Sequence, residues 1–185
     1  MNDLSASHLA AQGGAFEEQR GNNALIRIFG LAENDVISRG EPIITLSLQS
    51  FPLPVTTVEA IDTNFLNEKR KIAGLVTFED MEVVFKDFVD QRTARVLKLW
   101  HEEVYDPVTG RIGLARNYKK RGEVQLFGPN QQYNRFWTCI GMWPTTYNAG
   151  TIDMASSEPV KVSLTISIDK CYAARDLANV DLVGA

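Results

Sequence analysis

VKVSLTISID, residues 160–169, is the stretch that decides the fold. Val160, Val162, Leu164, Ile166 and Ile168 fall on one side of a pleated chain, and Lys161, Ser163, Thr165, Ser167 and Asp169 fall on the other. A period of two with β-branched residues on the apolar side predicts a strand with one face in a core and one face wet. A slip of one residue would turn the whole apolar row outward, so the register is strongly specified.

Working upstream, the same period recurs. Between Val76 and Phe88, Met81, Val83 and Phe85 face one way while Asp80, Glu82, Val84 and Lys86 face the other, which predicts a central strand. ALIRIF, residues 24–29, sets Ala24, Ile26 and Ile28 against Leu25, Arg27 and Phe29. After a loop from Gly30 to Pro42, IITLSLQ alternates Ile44, Leu46 and Leu48 with Thr45, Ser47 and Gln49, and is expected to be a half-buried strand. Pro52 and Pro54 stop that ladder because proline has no amide donor. Val55 to Asp62 is β-prone, Asn64 to Lys71 reads as the polar tip of a long hairpin, and Gly74 as a bend. Further on, Glu123 to Phe127 reads as a strand and Gly128 to Gln131 as a turn. Tyr133 to Trp143 is a longer strand with Tyr133, Trp137 and Cys139 on one face, ended by Trp143 and Pro144. Tyr147 to Pro159 reads as a loop.

One segment has helical spacing. From Asp90 to Val104, Ala94, Leu97, Trp100 and Val104 recur at three, three and four residues, widened by Val96 and Leu99, and Asp90 can cap the first turn. His101, Glu102 and Glu103 belong to its wet side, where the two acids oppose the helix dipole unless the basic residues that follow offset them. Asp106, Pro107 and Gly110 form a turn, and Arg111 to Arg121 a basic loop. Seven or eight strands and one helix predict a single α+β, mainly β domain: a two-sheet antiparallel sandwich or barrel with one flanking helix. It spans residues 24–172, between a polar N-terminal arm at 1–23 and a C-terminal tail at 173–185.

The 185 residues are 44% hydrophobic and 23% charged, which is ordinary globular composition. No secretory signal and no run of about 20 apolar residues is visible, and the expected compartment is the cytoplasm. Charge is uneven. The net charge is −4, yet Lys69, Arg70 and Lys71 form one basic cluster and Arg111, Arg116, Lys119, Lys120 and Arg121 a second. Removing those eight cations from 19 leaves 11 against 23 acids, or −12 for the remainder.

Chemistry-bearing motifs are sparse. HExxH, GxSxG, GxxxxGK[ST] and GxGxxG do not occur. His8 lies in the arm, and His101 adjoins Glu102 on a helix where neighbours point apart. Glu79, Asp80 and Glu82 suit an exposed strand face better than a paired-carboxylate site. Cys139 and Cys171 lack CxxC or Cys/His spacing and read as buried, reduced thiols. Tyr118 within the second basic cluster gives it a nucleic-acid flavour, although an acidic neighbour is the better match for it. No cofactor, metal or catalytic residue is indicated, and the expected role is non-enzymatic.

The order of elements then becomes informative. Lys71-Ile-Ala-Gly74, followed by Val76-Thr-Phe-Glu-Asp-Met-Glu-Val-Val84 and a helix ending at Trp100, resembles the middle of tail tube proteins from contractile-tailed bacteriophages. Ile140-Gly-Met-Trp-Pro144 ahead of a polar loop and an alternating strand resembles a second element of that family, and Leu48-Gln-Ser-Phe-Pro-Leu-Pro54 a third. The resemblance implies hexameric rings stacked into a hollow conduit, in a virion tail assembled in the host cytoplasm. It implies a sheath protein outside, baseplate and tail terminator proteins at the ends, and transient passage of double-stranded DNA and a tape-measure protein. Lys69, Arg70, Lys71, Arg116, Lys119, Lys120 and Arg121 become candidate ring-stacking contacts. Asp80, Glu82, Lys161, Ser163, Thr165, Ser167 and Asp169 become candidate lumen residues. The tube of a bacterial contractile injection or secretion system is the alternative within that class, and a monomeric barrel holding a small ligand is the alternative outside it.

Overall fold

The computed structural model describes residues 21–31, 40–128, 133–155 and 158–173. Most of the expected arm, His8, much of the loop after Gly30, most of the turn at 128–131 and nearly all of the expected C-terminal tail lie outside the described residues. The strands are β1 (Ala24–Ile28), β2 (Leu48–Ser50), β3 (Thr56–Phe65), β4 (Glu68–Phe78), β5 (Met81–Lys86), β6 (Tyr105–Asp106), β7 (Arg111–Ile112), β8 (Lys120–Phe127), β9 (Tyr133–Asn148), β10 (Lys161–Ser167) and β11 (Lys170–Ala173). The helices are α1 (Gly40–Ser47), α2 (Arg92–Val104) and α3 (Ala115–Tyr118).

Two antiparallel sheets share one strand. The first runs β1-β8-β9-β11 and the second β9-β10-β5-β2, and β9 is long enough to serve both. Its residues 137–140 pair with β11 and its residues 143–148 with β10 along the same edge, while β8 occupies the other edge. Gly141 stands at the junction with φ +69°, a left-handed conformation that a side chain resists. A Cβ there would lie 2.2 Å from the Asp169 carboxylate, which sits at the matching bend between β10 and β11. Glycine thus lets the two bends nest at the corner where one sheet becomes the other.

The core lies between these sheets. Val162, Leu164, Ile166 and Ile168 of the 160–169 stretch are buried, as are Met81, Val83 and Phe85 opposite them in register. Ile26, Ile28, Val124, Cys139 and Met142 close the other side. Each such side chain contributes about 1.5–3 kcal/mol by leaving water.

Helix α2 covers the sandwich over β9 through buried Thr93, Val96, Leu97 and Trp100, and the Trp100 indole donates to the Tyr118 carbonyl at 2.8 Å. Leu99, expected in the apolar stripe, is 43% exposed because its position turns beyond the contact face. The first turn is capped from two places. Asp90 accepts from the Arg92 amide, and Asp87, from the end of β5, accepts from the Ala94 amide. At the other end Glu103 meets Lys120 at 3.1 Å and Glu102 meets Lys98, so basic residues do offset the acids.

Several expectations give way. Residues 44–47 are helical rather than extended: Ile44 and Ser47, three apart, are buried, whereas Leu46 is 78% exposed. Only Leu48–Ser50 joins the sheet. Pro144 does not end β9: it lies beside a bulge where the register against β10 shifts, the setting in which a strand tolerates proline. Instead of one continuous strand from Val76 to Phe88, the chain breaks at Glu79 and Asp80 between β4 and β5. The Arg111–Arg121 loop contains β7, α3 and the start of β8. A further strand, β11, follows the 160–169 stretch.

Candidate assembly surfaces

The β3–β4 hairpin stands outside the sandwich as its own two-stranded sheet. Every residue of β3 is exposed. Its pairing runs from Thr56↔Phe78 at the base to Phe65↔Glu68 at the tip, with a bulge where Gly74 and Leu75 oppose Glu59. Gly74 is therefore a bulge position rather than a bend, and a Cβ there would press on Ile61 at 2.9 Å.

Apolar residues occupy both faces of this ribbon. Ile61, Phe65 and Ile72 share one face and Val58 and Val76 the other, and these five are 44–54% exposed. Leu66 at the tip is 90% exposed, with φ 54°. An antiparallel sheet in water ordinarily wets one face and buries the other, and an isolated two-stranded hairpin is marginal at best. Beyond its base, where Phe78 packs on the core, the ribbon carries half-exposed apolar residues on both sides, which is surface suited to contact.

The basic cluster at its tip divides between these faces. Lys69 and Lys71 lie on the face of Asp62 and Asn64, while Arg70 lies on the opposite face with its guanidinium 4.4 Å from the centre of the Phe65 ring. The second cluster is partly spent within the chain. Lys119 holds both oxygens of Asp169 at 2.6 and 2.8 Å, and Lys120 holds Glu103. Arg116, in α3, and Arg121, in β8, form no ion pair among the described residues.

The outer side of the second sheet is a polar wall. Thr165 lies opposite Glu82, Ser163 opposite Val84 and Lys161 opposite Lys86, with Thr146 and Asn148 on the far side. Ser167 extends the row toward Trp143, whereas Asp80 precedes β5. Asp169 is separate from this wall, at the corner with Gly141 and Lys119. A groove of about 670 Å³ opens on the wall, lined by Glu82, Asn148, Asp153, Glu158, Lys161 and Ser163. Glu158 and Lys161 pair across it at 3.0 Å.

Strands β1 and β2 end the sheet path and pair on one side only among the described residues. A cleft of about 440 Å³ lies at these edges, walled by Ala24, Leu48, Phe51, Leu53 and Leu126. His101 is half-buried, its ring 6.2 Å from that of Tyr147. Burial pushes the Tyr147 hydroxyl above its usual pKa, with Asp87 and Glu102 adding to the shift. Asp106 is held below the usual carboxylate range by the Thr109 hydroxyl and the Val108 amide, both of which donate to it in the β6–β7 turn. No group of three or more His, Cys, Asp or Glu residues positioned to hold a metal occurs among the described residues, and none of their helices is long and apolar enough to cross a membrane. The hairpin's two-faced apolar character was missed in the sequence. The signal was there in Val58, Ile61, Ile72 and Val76, but a strand's period does not say whether a face is covered.

The fold is shared with chains in solved structures of contractile injection systems. It matches a chain in the sheath–tube complex of the extracellular contractile injection system PVC in its extended state. The TM-score is 0.66 at 12% identity, over 93% of this chain and 99% of that one. A chain in the structure of the anti-feeding prophage tube terminating cap matches with TM-score 0.64 at 12% identity, over 86% and 93%. The PVC sheath/tube terminator matches with TM-score 0.64 at 10% identity, over 87% and 99%. No protein-family model and no curated protein matches the sequence.

Proposed function

We propose that this chain is a structural subunit of a contractile-type tube, closing into hexameric rings that stack into a hollow conduit. The observation that carries the reading is the β3–β4 hairpin, whose apolar residues on both faces lie uncovered in the single chain. A neighbouring copy that takes up this ribbon removes the exposed surface, and the one-sided edges of β1 and β2 offer further places for pairing between copies. The likeness to tube and tube-cap structures supports the same arrangement.

In this reading Lys69, Lys71 and Arg70 present positive charge from two faces of one hairpin tip to the acidic body of an adjacent ring. Arg116 and Arg121 do the same from the other cluster, with Lys119 and Lys120 already engaged. The wall of Glu82, Lys161, Ser163, Thr165 and Ser167 lines the lumen, with Asp80 at its margin and Asp169 outside it. A sheath surrounds the tube, and baseplate and terminator proteins bind its ends. Residues 24–172 form the ring-building domain, flanked by the arm and the tail.

The cargo distinguishes two versions. In a phage tail the conduit passes double-stranded DNA and a tape-measure protein. Six copies at −4 give −24 per ring, which favours slippage of a phosphate backbone over capture. In a bacterial injection device the payload is protein. Mass spectrometry and nuclease treatment of isolated particles separate the two.

Negative-stain electron microscopy of the purified chain tests the reading. Hollow rods with a regular axial repeat are expected; single rings that never lengthen would indicate a terminating cap. A 20.6 kDa monomer at every concentration would overturn it.

A further inference from the structure

We propose that Cys139 and Cys171 form an oxidisable dithiol that closes into a disulfide, tying the last described strand, β11, to the shared strand β9. The two residues are direct register partners across the β9–β11 ladder. Directly opposed residues in an antiparallel pair have Cα atoms about 4.5–5.5 Å apart, inside the range of about 4.4–6.8 Å that disulfides span. The two Sγ atoms already lie 3.0 Å apart, so no backbone shift is needed to bring them to bonding distance. Both thiols are free and buried, and each has the other as its hydrogen-bonding partner.

The two sulfurs are not equivalent, and this orders the chemistry. Cys139 has no exposed surface, whereas Cys171 retains 8%. The contact also splits their acidities: the hydrogen bond between them lowers the Cys171 pKa and, with burial, raises that of Cys139. Cys171 is therefore the sulfur that meets an outside oxidant first. With a small organic disulfide, the Cys171 thiolate attacks one of its sulfurs, forming a mixed disulfide and expelling one small thiolate. Cys139 then loses its proton, attacks the Cys171 sulfur and expels the second. The protein's two thiols lose two electrons and two protons, and one small disulfide becomes two small thiols.

The consequence is mechanical. Strand β11 has four residues and pairs only with β9 among the described residues, so its attachment rests on a short ladder. A covalent tie between residues 139 and 171 closes a loop that also contains β10 and the Gly141 corner. The dithiol stays open in a reducing compartment and closes in an oxidising one.

The test uses the full chain, reduced and then incubated with oxidised glutathione, and reads intact mass, free thiol content and thermal unfolding. Expected is an intrachain disulfide: loss of two hydrogen atoms per chain without a glutathione adduct, disappearance of both thiols, and a Tm about 5–12 °C higher. Reductant should reverse all three. Oxidised C171S should show no such Tm rise and no loss of hydrogen. If wild-type chains keep both thiols, stop at a glutathione adduct or cross-link only between chains, the proposal fails. The mass readout on wild type needs no variant to fold.

Discussion

Replacing Ile61 and Ile72 together by serine should separate folding from assembly. The two are register partners on one face of the β3–β4 hairpin and are 44% and 54% exposed in the single chain. Neither belongs to the buried core, so the sandwich loses little when they go. Full burial of an isoleucine is worth about 1.5–3 kcal/mol, and about half of each side chain remains to be covered by a neighbour. The double variant therefore forfeits about 2 kcal/mol in each subunit contact, a factor of about 30 in the association constant. Sedimentation velocity across a concentration series, with electron microscopy of the same samples, reads this as a threshold for rings or rods about 30-fold higher. Circular dichroism and Tm should stay near wild type. V108S, at a 91% exposed position in the β6–β7 turn, serves as the control and should assemble normally. Assembly of the double variant at the wild-type threshold would refute the assignment of this face to a subunit contact. Loss of the folded monomer would refute the claim that the hairpin is dispensable to the core.

Two further outcomes follow from other parts of the molecule. G141A forces a side chain into φ +69° at about 1–2 kcal/mol and displaces Asp169 from Lys119, an exposed pair worth about 0–1 kcal/mol. The Tm should fall by about 2–12 °C, and a change smaller than the error of the scan would contradict the nested corner. K69A/R70A/K71A should shorten rods at low salt, with the difference from wild type vanishing near 1 M, where screening acts over about 3 Å. Comparing K69A/K71A with R70A then tells which face of the tip meets the next ring, and equal rod lengths at every ionic strength would remove these residues from the contact.

The strands with strict alternation were legible because burial on one face leaves only one workable register. Val162, Leu164 and Ile166 against Met81, Val83 and Phe85 is such a case, and the Trp100 helix was legible by the same logic at a longer period. Residues 44–47 were misread because Ile-Ile-Thr-Leu-Ser satisfies both periods: Ile44 and Ser47 three apart suit a helix, and Ile44 and Leu46 two apart suit a strand. Packing against α2 and β1 decided between them. Pro144 reads as a stop in the sequence because its tolerance depends on a bulge, and a bulge is a property of two strands rather than one. The charge clusters were visible as composition, but their division was not. Lys119 finds Asp169 fifty residues away, and strand pleating turns Arg70 away from Lys69 and Lys71.

Because β9 contributes hydrogen bonds to both sheets along its sixteen residues, one continuous backbone joins the two. A pull applied through the projecting ribbon enters the sandwich through β4 and β5 and reaches the far sheet along that common backbone. With both sheets hung on one strand, the sandwich is expected to open as a single cooperative block rather than along a seam.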